Sequence, residues 1–225
     1  DAEDEYTLAM DDFYRAAQST VDSPRADYSK TLNLLDLIEQ DDPSYEGMDH
    51  VYSLQAWYRD PSQNGSKADQ NQTIDYYQQL VASFPESSHA SLAHLRLGKF
   101  YMEEQRELVG AKAHFKYVIK LEADDGRWID EGLYYLAWCH YMQASSVHPE
   151  HYTRAIQTFD QLLMWQVSTE REGSRSTAAT RQEAIIFSAI SLVEMTADTL
   201  DAPGAVTQLF SKNLGPRPHE ADLYR

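Results

Sequence analysis

The stretch from Ser87 to Glu122 restricts the possible folds of this chain more than any other part of the sequence. Two apolar segments with helical spacing flank a short charged link, Glu103–Glu107. The residues that set the spacing are Leu97, Gly98 and Tyr101 in the first segment, and Ala111, Phe115 and Val118 in the second. Because residues at i, i+4 and i+7 share one face of an α-helix, the pattern predicts two helices that pack through these faces.

This order of small, aliphatic and aromatic residues resembles the tetratricopeptide repeat (TPR) family, whose units are helix–turn–helix pairs of about 34 residues. In such units the small residues let two antiparallel helices approach closely, and the aromatic residues fill the remaining space. The link here is one residue longer than the family consensus. Since one unit cannot bury its apolar face alone, further units are expected beside it.

The rest of the chain repeats this pattern less regularly. Met48–Arg59 and Gln72–Phe84 form one predicted helix pair, and Trp128–Met142 with Tyr152–Trp165 forms another. The resemblance implies an all-α fold, a right-handed TPR superhelix (α-solenoid) of about five units in one domain. The predicted units are 1–43, 47–86, 88–123, 128–167 and 178–215, followed by the start of another helix at 218–225.

Equivalent positions in successive units are about 38 to 44 residues apart, which overlaps the period of HEAT repeats, about 40–47 residues. The TPR interpretation is preferred because the extra residues lie in polar links, whereas the spacing within the helices fits the TPR pattern. These links are Asp60–Lys67, Gln143–Glu150 and Ser168–Ala179. The sequence begins with neither an initiating Met nor a signal peptide, so we expect it to be either a processed chain or a piece of a longer one.

The charge of the chain argues against several kinds of partner. Its 225 residues include 19 Lys and Arg against 36 Asp and Glu, a formal charge of −17. No basic stripe is visible that could neutralise nucleic-acid phosphates, and an anionic membrane surface is disfavoured for the same reason. No apolar run is long enough to predict membrane insertion. The acidic surface is expected to aid solubility, with steering of a basic partner as the alternative.

No motif predicts catalysis, a metal or a cofactor. The chain lacks phosphate-binding, dinucleotide-binding and nucleophile-elbow motifs. His148 and His151 are three residues apart with Pro149 between them, which does not fit the i, i+4 pair of a helical zinc site. Cys139 is the only cysteine and lies in an apolar helix pattern, so it is predicted to be a buried, unreactive thiol.

In TPR arrays the first helix of each unit lines a concave groove, and the family's groove positions can be carried over to this chain. They are Tyr52, Ala56 and Arg59 in the second unit, Leu95, Lys99 and Met102 in the third, Tyr134, Trp138 and Tyr141 in the fourth, and Ile186 and Ile190 in the fifth. The resemblance implies that the three aromatic residues anchor a partner, with Lys99 and Arg59 as clamps for an acidic group. The alternative is that the aromatic residues pack against the neighbouring helix.

The resemblance implies a non-catalytic scaffold that binds a protein or peptide in this groove. The run Leu-Tyr-Tyr-Leu-Ala-Trp-Cys-His-Tyr at 133–141 is similar to repeats of long bacterial cell-envelope TPR proteins, including those of myxobacteria. That similarity implies the periplasm or cell envelope, with the cytoplasm as the alternative. Two other functions stay open: a structural spacer in a longer solenoid, and a carboxylate-based hydrolase. The sequence does not indicate the oligomeric state.

Overall fold

The computed structural model describes residues 2–19, 28–61, 69–121, 126–168, 175–196 and 204, except for the side chains at 13–19 and 175–178. Within these ranges the chain forms nine helices and no strand. The helices are α1 (Ala2–Ser19), α2 (Ser29–Asp41), α3 (Met48–Arg59), α4 (Gln70–Ser83), α5 (Ala90–Glu103), α6 (Leu108–Leu121), α7 (Ile129–Gln143), α8 (Glu150–Ser168) and α9 (Arg175–Thr196). The prediction of an all-α protein is confirmed for this part of the chain.

The helix bounds follow the apolar periodicity of the sequence. α3 has the predicted bounds and buries Val51 and Tyr58, which are seven residues apart on one face. α6 buries Ala111, Phe115 and Val118, as their spacing predicts. Isolated helices of this length are marginal in water, so the packing of these faces supplies most of their stability.

The polar link predicted over Ser168–Ala179 is wrong at both ends. α8 continues through Ser168, and α9 is already helical at Arg175. Ala178 and Ala179 are strong helix formers, so the helix begins ahead of the predicted start at Thr180. Polar composition therefore does not predict a loop over the whole of this stretch.

Several predicted features lie outside the described residues. They are most of the Asp60–Lys67 link, the end of the predicted fifth unit beyond residue 196 except for residue 204, and the start of a helix at 218–225.

Contacts between residues divide the chain into two compact units, Asp1–Ala93 and His94–Arg225, with the boundary inside α5. In the first unit α1 packs on α2 and α3 packs on α4, while α2 and α3 share a smaller contact. Leu35 and Ile38 of α2 are fully buried with Val51 of α3 in its core. Burying a side chain of this size contributes about 1.5–3 kcal/mol relative to leaving it in water.

In the second unit α7 is central, because it packs on α6, α8 and α9. Its buried residues accordingly lie on more than one face. Leu133 and Ala137 belong to a core shared with α8 and α9, whereas Leu136 and Cys139 belong to a core shared with α5 and α6. α7 is thus the helix on which the rest of this unit is assembled.

Gly98 allows α5 to approach α6 closely. A Cβ atom at Gly98 would lie 2.6 Å from Cε1 of Phe115, a fully buried side chain. That separation is far inside van der Waals contact, so glycine alone fits without displacing the ring. The structure therefore agrees with the role that the sequence pattern predicted for a small residue here.

Candidate functional site

Arg59, one of the two predicted clamps, is engaged within the first unit. Its Nη2 lies 3.3 Å from Oδ1 of Asp36, and its guanidinium lies over the Tyr76 ring, 5.2 Å from the centroid. Its Nη1 donates to the carbonyl oxygen and to Oε1 of Gln55. The fully buried Gln55 in turn donates from Nε2 to Asp36 Oδ1 at 2.7 Å. The positive charge of Arg59 is therefore used to hold α2, α3 and α4 together.

Tyr52 and Ala56, the other two groove residues predicted in the second repeat, differ in exposure. Tyr52 is half-buried, and its ring centroid lies 6.1 Å from that of Tyr76 and 6.2 Å from that of Phe84. Burial, with a smaller contribution from the Glu39 carboxylate, raises the pKa of Tyr52, so its hydroxyl stays neutral near neutral pH. Ala56 is fully buried and offers no surface to a partner.

Of the three predicted positions on α5, only Lys99 has a partly exposed side chain. Leu95 is 2% exposed and Met102 is 9% exposed, and both belong to the core that α5 shares with α6 and α7. The Nζ of Lys99 lies 4.7 Å from the centroid of the Tyr135 ring on α7, a cation–π geometry. The structure thus places Lys99 beside α7, whereas Leu95 and Met102 stabilise the fold.

The three predicted aromatic anchors lie together on α7 and also contact α9. The Trp138 ring centroid is 4.3 Å from that of Phe187 and 5.6 Å from that of Tyr141. Tyr134 donates a hydrogen bond from Oη to Oε2 of Glu183. Burial and this hydrogen bond raise the pKa of Tyr134 well above its ordinary value. All three aromatic residues are half-buried, so packing against a neighbouring helix and partial exposure occur together.

A strip of apolar side chains on α7 and α9 is open to solvent. Met142 is 50% exposed, Ile186 43% and Val193 55%, while Trp138 and Ile190 are half-buried. Ile186, Ile190 and Val193 are spaced i, i+4 and i+7, and Met142 follows Trp138 by four residues, so each set shares a helix face. Trp138 contacts Phe187 on α9, so the two sets lie on helices that pack on each other. We call these five side chains the α7–α9 face.

Three residues of this region are absent from the predicted groove positions: Met142, Val193 and Phe187. The first two are exposed members of the α7–α9 face, and Phe187 joins its two helices. Helical periodicity contains a signal for the exposed pair, because Met142 lies one turn after Trp138 and Val193 nearly one turn after Ile190. The family's groove positions do not include them, so the resemblance could not indicate them.

Histidines contact other histidines in each unit. The pairs are His50 with His89, His94 with His114, and His140 with His151, with ring centroids 4.5, 5.1 and 6.0 Å apart. Burial is the main cause that lowers the pKa of five rings: His50, His94, His114, His140 and His151. In the described residues, no group of three or more His, Cys, Asp or Glu side chains could hold a metal ion.

Comparisons with known proteins add no assignment. No model of a protein family matches the chain, and no characterised protein gives a significant match. Across the described helices, none is both long enough and apolar enough to cross a membrane.

Proposed function

We propose that this chain is a TPR-like α-solenoid of about five units that binds a segment of another protein and performs no catalysis. The observation that carries the proposal is the α7–α9 face. Apolar surface left in water costs roughly 25 cal/mol per Å², and apolar surface that is open and grouped is typical of protein-binding sites. Helices that follow one another in the sequence pack on each other, α3 on α4 and α7 on α8 for example. This pairing supports the solenoid arrangement.

The proposed ligand is an amphipathic helix or an extended segment whose apolar side chains cover the α7–α9 face. Trp138 is its central anchor, because tryptophan combines a large apolar ring with a polar edge and is enriched among residues that dominate binding energy. Lys99 lies at the edge of α7 through its contact with Tyr135 and supplies a positive charge for an acidic group of the segment. Arg59 is not part of this proposal, since Asp36 and Gln55 engage its guanidinium.

A displayed library of amphipathic peptides, selected on the immobilised chain, tests the proposal. Selected peptides are then titrated in solution against the unaltered protein and against Met142→Glu and Ile186→Glu. A buried carboxylate would have to lose its hydration without a partner, so each variant should bind at least about tenfold more weakly. Both positions are exposed, so the melting temperature should stay nearly unchanged.

Val109→Glu is the matched control, because Val109 is also an exposed apolar helix residue, on α6 and outside the α7–α9 face. This variant should keep the affinity of the unaltered protein. If no peptide is selected, or if all three variants bind alike, the face is not a binding site. The spacer function, with no groove ligand, would then be the better interpretation.

We further infer a bacterial cell-envelope setting, periplasmic for this part of the chain. It rests on the similarity of the run at 133–141 to repeats of envelope TPR proteins. Fractionation of cells that express the complete gene product, with marker proteins for each compartment, tests this inference. Recovery with the cytoplasmic markers would favour the cytoplasmic alternative.

A further inference from the structure

A cavity of about 540 Å³ opens between α6, α7 and α8. Pockets that bind small molecules typically enclose about 300–1,000 Å³, so this one has room for such a ligand. Most of the described side chains around it are apolar. They are Ile119 of α6, Ile129 and Leu133 of α7, and Gln161, Met164, Trp165 and Ser168 of α8.

One helix, α8, supplies a whole wall of the cavity. The four residues that it contributes are spaced i, i+3, i+4 and i+7, so their side chains share one face of the helix. Met164 and Trp165 place a thioether and an indole ring in the middle of this wall, and the polar Gln161 and Ser168 stand at its ends. Leu162 is fully buried in the adjoining core, which fixes the position of α8.

α7 and α6 form the inner side of the cavity. Ile129 and Leu133 are one turn apart on α7, and each is only 5% exposed. Gly132 lets α6 come close to α7, since a Cβ atom there would lie 3.1 Å from Cγ1 of Val118 and 3.3 Å from Cγ1 of Ile119. Ile119 also packs against both cores to which α7 contributes. These side chains therefore have little freedom to move into the cavity and fill it.

The chemistry of the lining decides which ligand fits. Apolar surface left in water is costly, and an apolar molecule would cover it. None of the described lining residues is charged, so an ion entering the cavity would lose its hydration without gaining a partner. The Ser168 hydroxyl already donates to the carbonyl oxygen of Trp165 at 2.9 Å, whereas the side-chain amide of Gln161 has no partner in the described part of the chain. One hydrogen-bonding group of a ligand would therefore find its partner in Gln161.

We propose that the cavity binds a small, uncharged and largely apolar molecule that carries one hydrogen-bonding group. Its apolar part lies against Leu133, Met164 and Trp165, and its polar group forms a hydrogen bond with the Gln161 amide. The site is separate from the α7–α9 face, because Met142 follows Leu133 by nine residues, about 180° around an α-helix. Binding of this ligand does not depend on the proposed peptide binding.

The test uses N-phenyl-1-naphthylamine, an uncharged dye with one N–H group whose fluorescence rises in apolar surroundings. Titrated into the whole chain at neutral pH, the dye should bind saturably to one site. Competition with 1-octanol, octanoate and octylammonium then compares one alkyl chain with three different polar ends. We expect 1-octanol to displace the dye at a concentration at least about tenfold lower than either ion requires, because only the ions must give up the hydration of a charge.

Met164→Glu should weaken dye binding by at least about tenfold, since it places a carboxylate against the apolar part of the ligand. Val167→Glu is the matched control: both side chains are on α8 and are almost equally exposed, 36% for Met164 and 37% for Val167, but Val167 does not line the cavity. Met142→Glu is a second control, because it alters the α7–α9 face. Both controls should bind the dye as the unaltered protein does. All three positions are exposed, so the melting temperature should stay nearly unchanged.

Gln161→Leu tests the polar contact. In this variant the affinity for 1-naphthol relative to that for naphthalene should fall about fivefold, the change that one ordinary hydrogen bond accounts for. An unaltered ratio would overturn the assignment of a hydrogen-bonding group to the ligand. The proposal as a whole is overturned if the dye shows no saturable binding, if either ion competes as well as 1-octanol, or if a control variant weakens binding as much as Met164→Glu.

Discussion

The Nδ1 atoms of His94 and His114 lie 2.8 Å apart, so one imidazole donates a hydrogen bond and the other accepts it. This requires at least one neutral ring, because a protonated imidazole can only donate. Tyr117 stacks on His94 with ring centroids 4.9 Å apart, and Tyr101 stacks on His114 at 5.4 Å. Burial and the neighbouring His114 lower the pKa of His94 to about 4, and burial lowers the pKa of His114.

We expect the free energy of unfolding to fall as the pH is lowered from about 6.5 to about 4. In this window His94 of the unfolded chain, with a pKa of 6.5, binds a proton that folded His94 does not bind until about 4. The stability that the neutral His94 ring contributes to the folded protein is therefore fully present above pH 6.5 and lost by about pH 4. Urea unfolding at a series of pH values measures it. His94→Gln, which can still form a hydrogen bond with His114, should lose less stability over this range; equal losses would contradict the assignment.

Gly98→Ala should destabilise the protein by about 1–3 kcal/mol, although alanine is the better helix former. The added methyl group would meet the Phe115 ring at 2.6 Å, and the ring is fully buried and has little room to move. Chemical denaturation of the single variants and of the double variant with Phe115→Leu gives the coupling. The substitution should cost less when Phe115 is already Leu, and additive effects would mean that this contact is not the cause.

Arg59→Met should reduce the free energy of unfolding by about 1–3 kcal/mol, because it removes the donor to Oε1 of the buried Gln55 and the cation that pairs with Asp36. Lys30→Met is the control. The Lys30 side chain is 65% exposed, against 13% for Arg59, and its ion pair with Asp12 at 3.4 Å should contribute less than about 1 kcal/mol. Denaturation curves of both variants make the comparison, and equal effects would count against the network around Arg59.

Cys139 should react very slowly with thiol reagents in the folded protein. It is fully buried, and burial raises the pKa of its thiol to about 12, against a small opposing effect of Lys112. The reactive thiolate is thus about a thousandfold scarcer at neutral pH than for an ordinary cysteine. Reaction with a chromogenic disulfide, followed in buffer and in urea, should accelerate at least about a hundredfold on unfolding. Similar rates in the two solutions would show that the thiol is accessible.

The sequence predicted best what depends on short-range spacing. α3 and the core face of α6 follow from apolar residues at helical intervals, and Gly98 was expected where two helices come close. The burial of Cys139 is confirmed for the same reason, since it follows from the apolar surroundings of its helix. These features need no knowledge of which helices become neighbours.

The candidate sites depend on residues that are distant in the sequence and were therefore harder to predict. Arg59 occupies a groove position in the helix pattern, but Asp36, 23 positions earlier, engages its charge. His151 directly follows the predicted Gln143–Glu150 link, yet it packs on His140 of the preceding helix. The carboxylate and the ring that decide these cases come from other helices, and no spacing within one segment indicates them.

The open apolar side chains of the α7–α9 face have a consequence for molecules of this protein in concentrated solution. Each carries a formal charge of −17, and this like charge keeps two copies from bringing their exposed Met142 and Val193 side chains together. Salt shortens the reach of that repulsion, to about 3 Å at 1 M, while apolar attraction persists. The negative charge of the chain thus opposes association through its exposed apolar surface. Light scattering should detect reversible self-association as the salt concentration is raised.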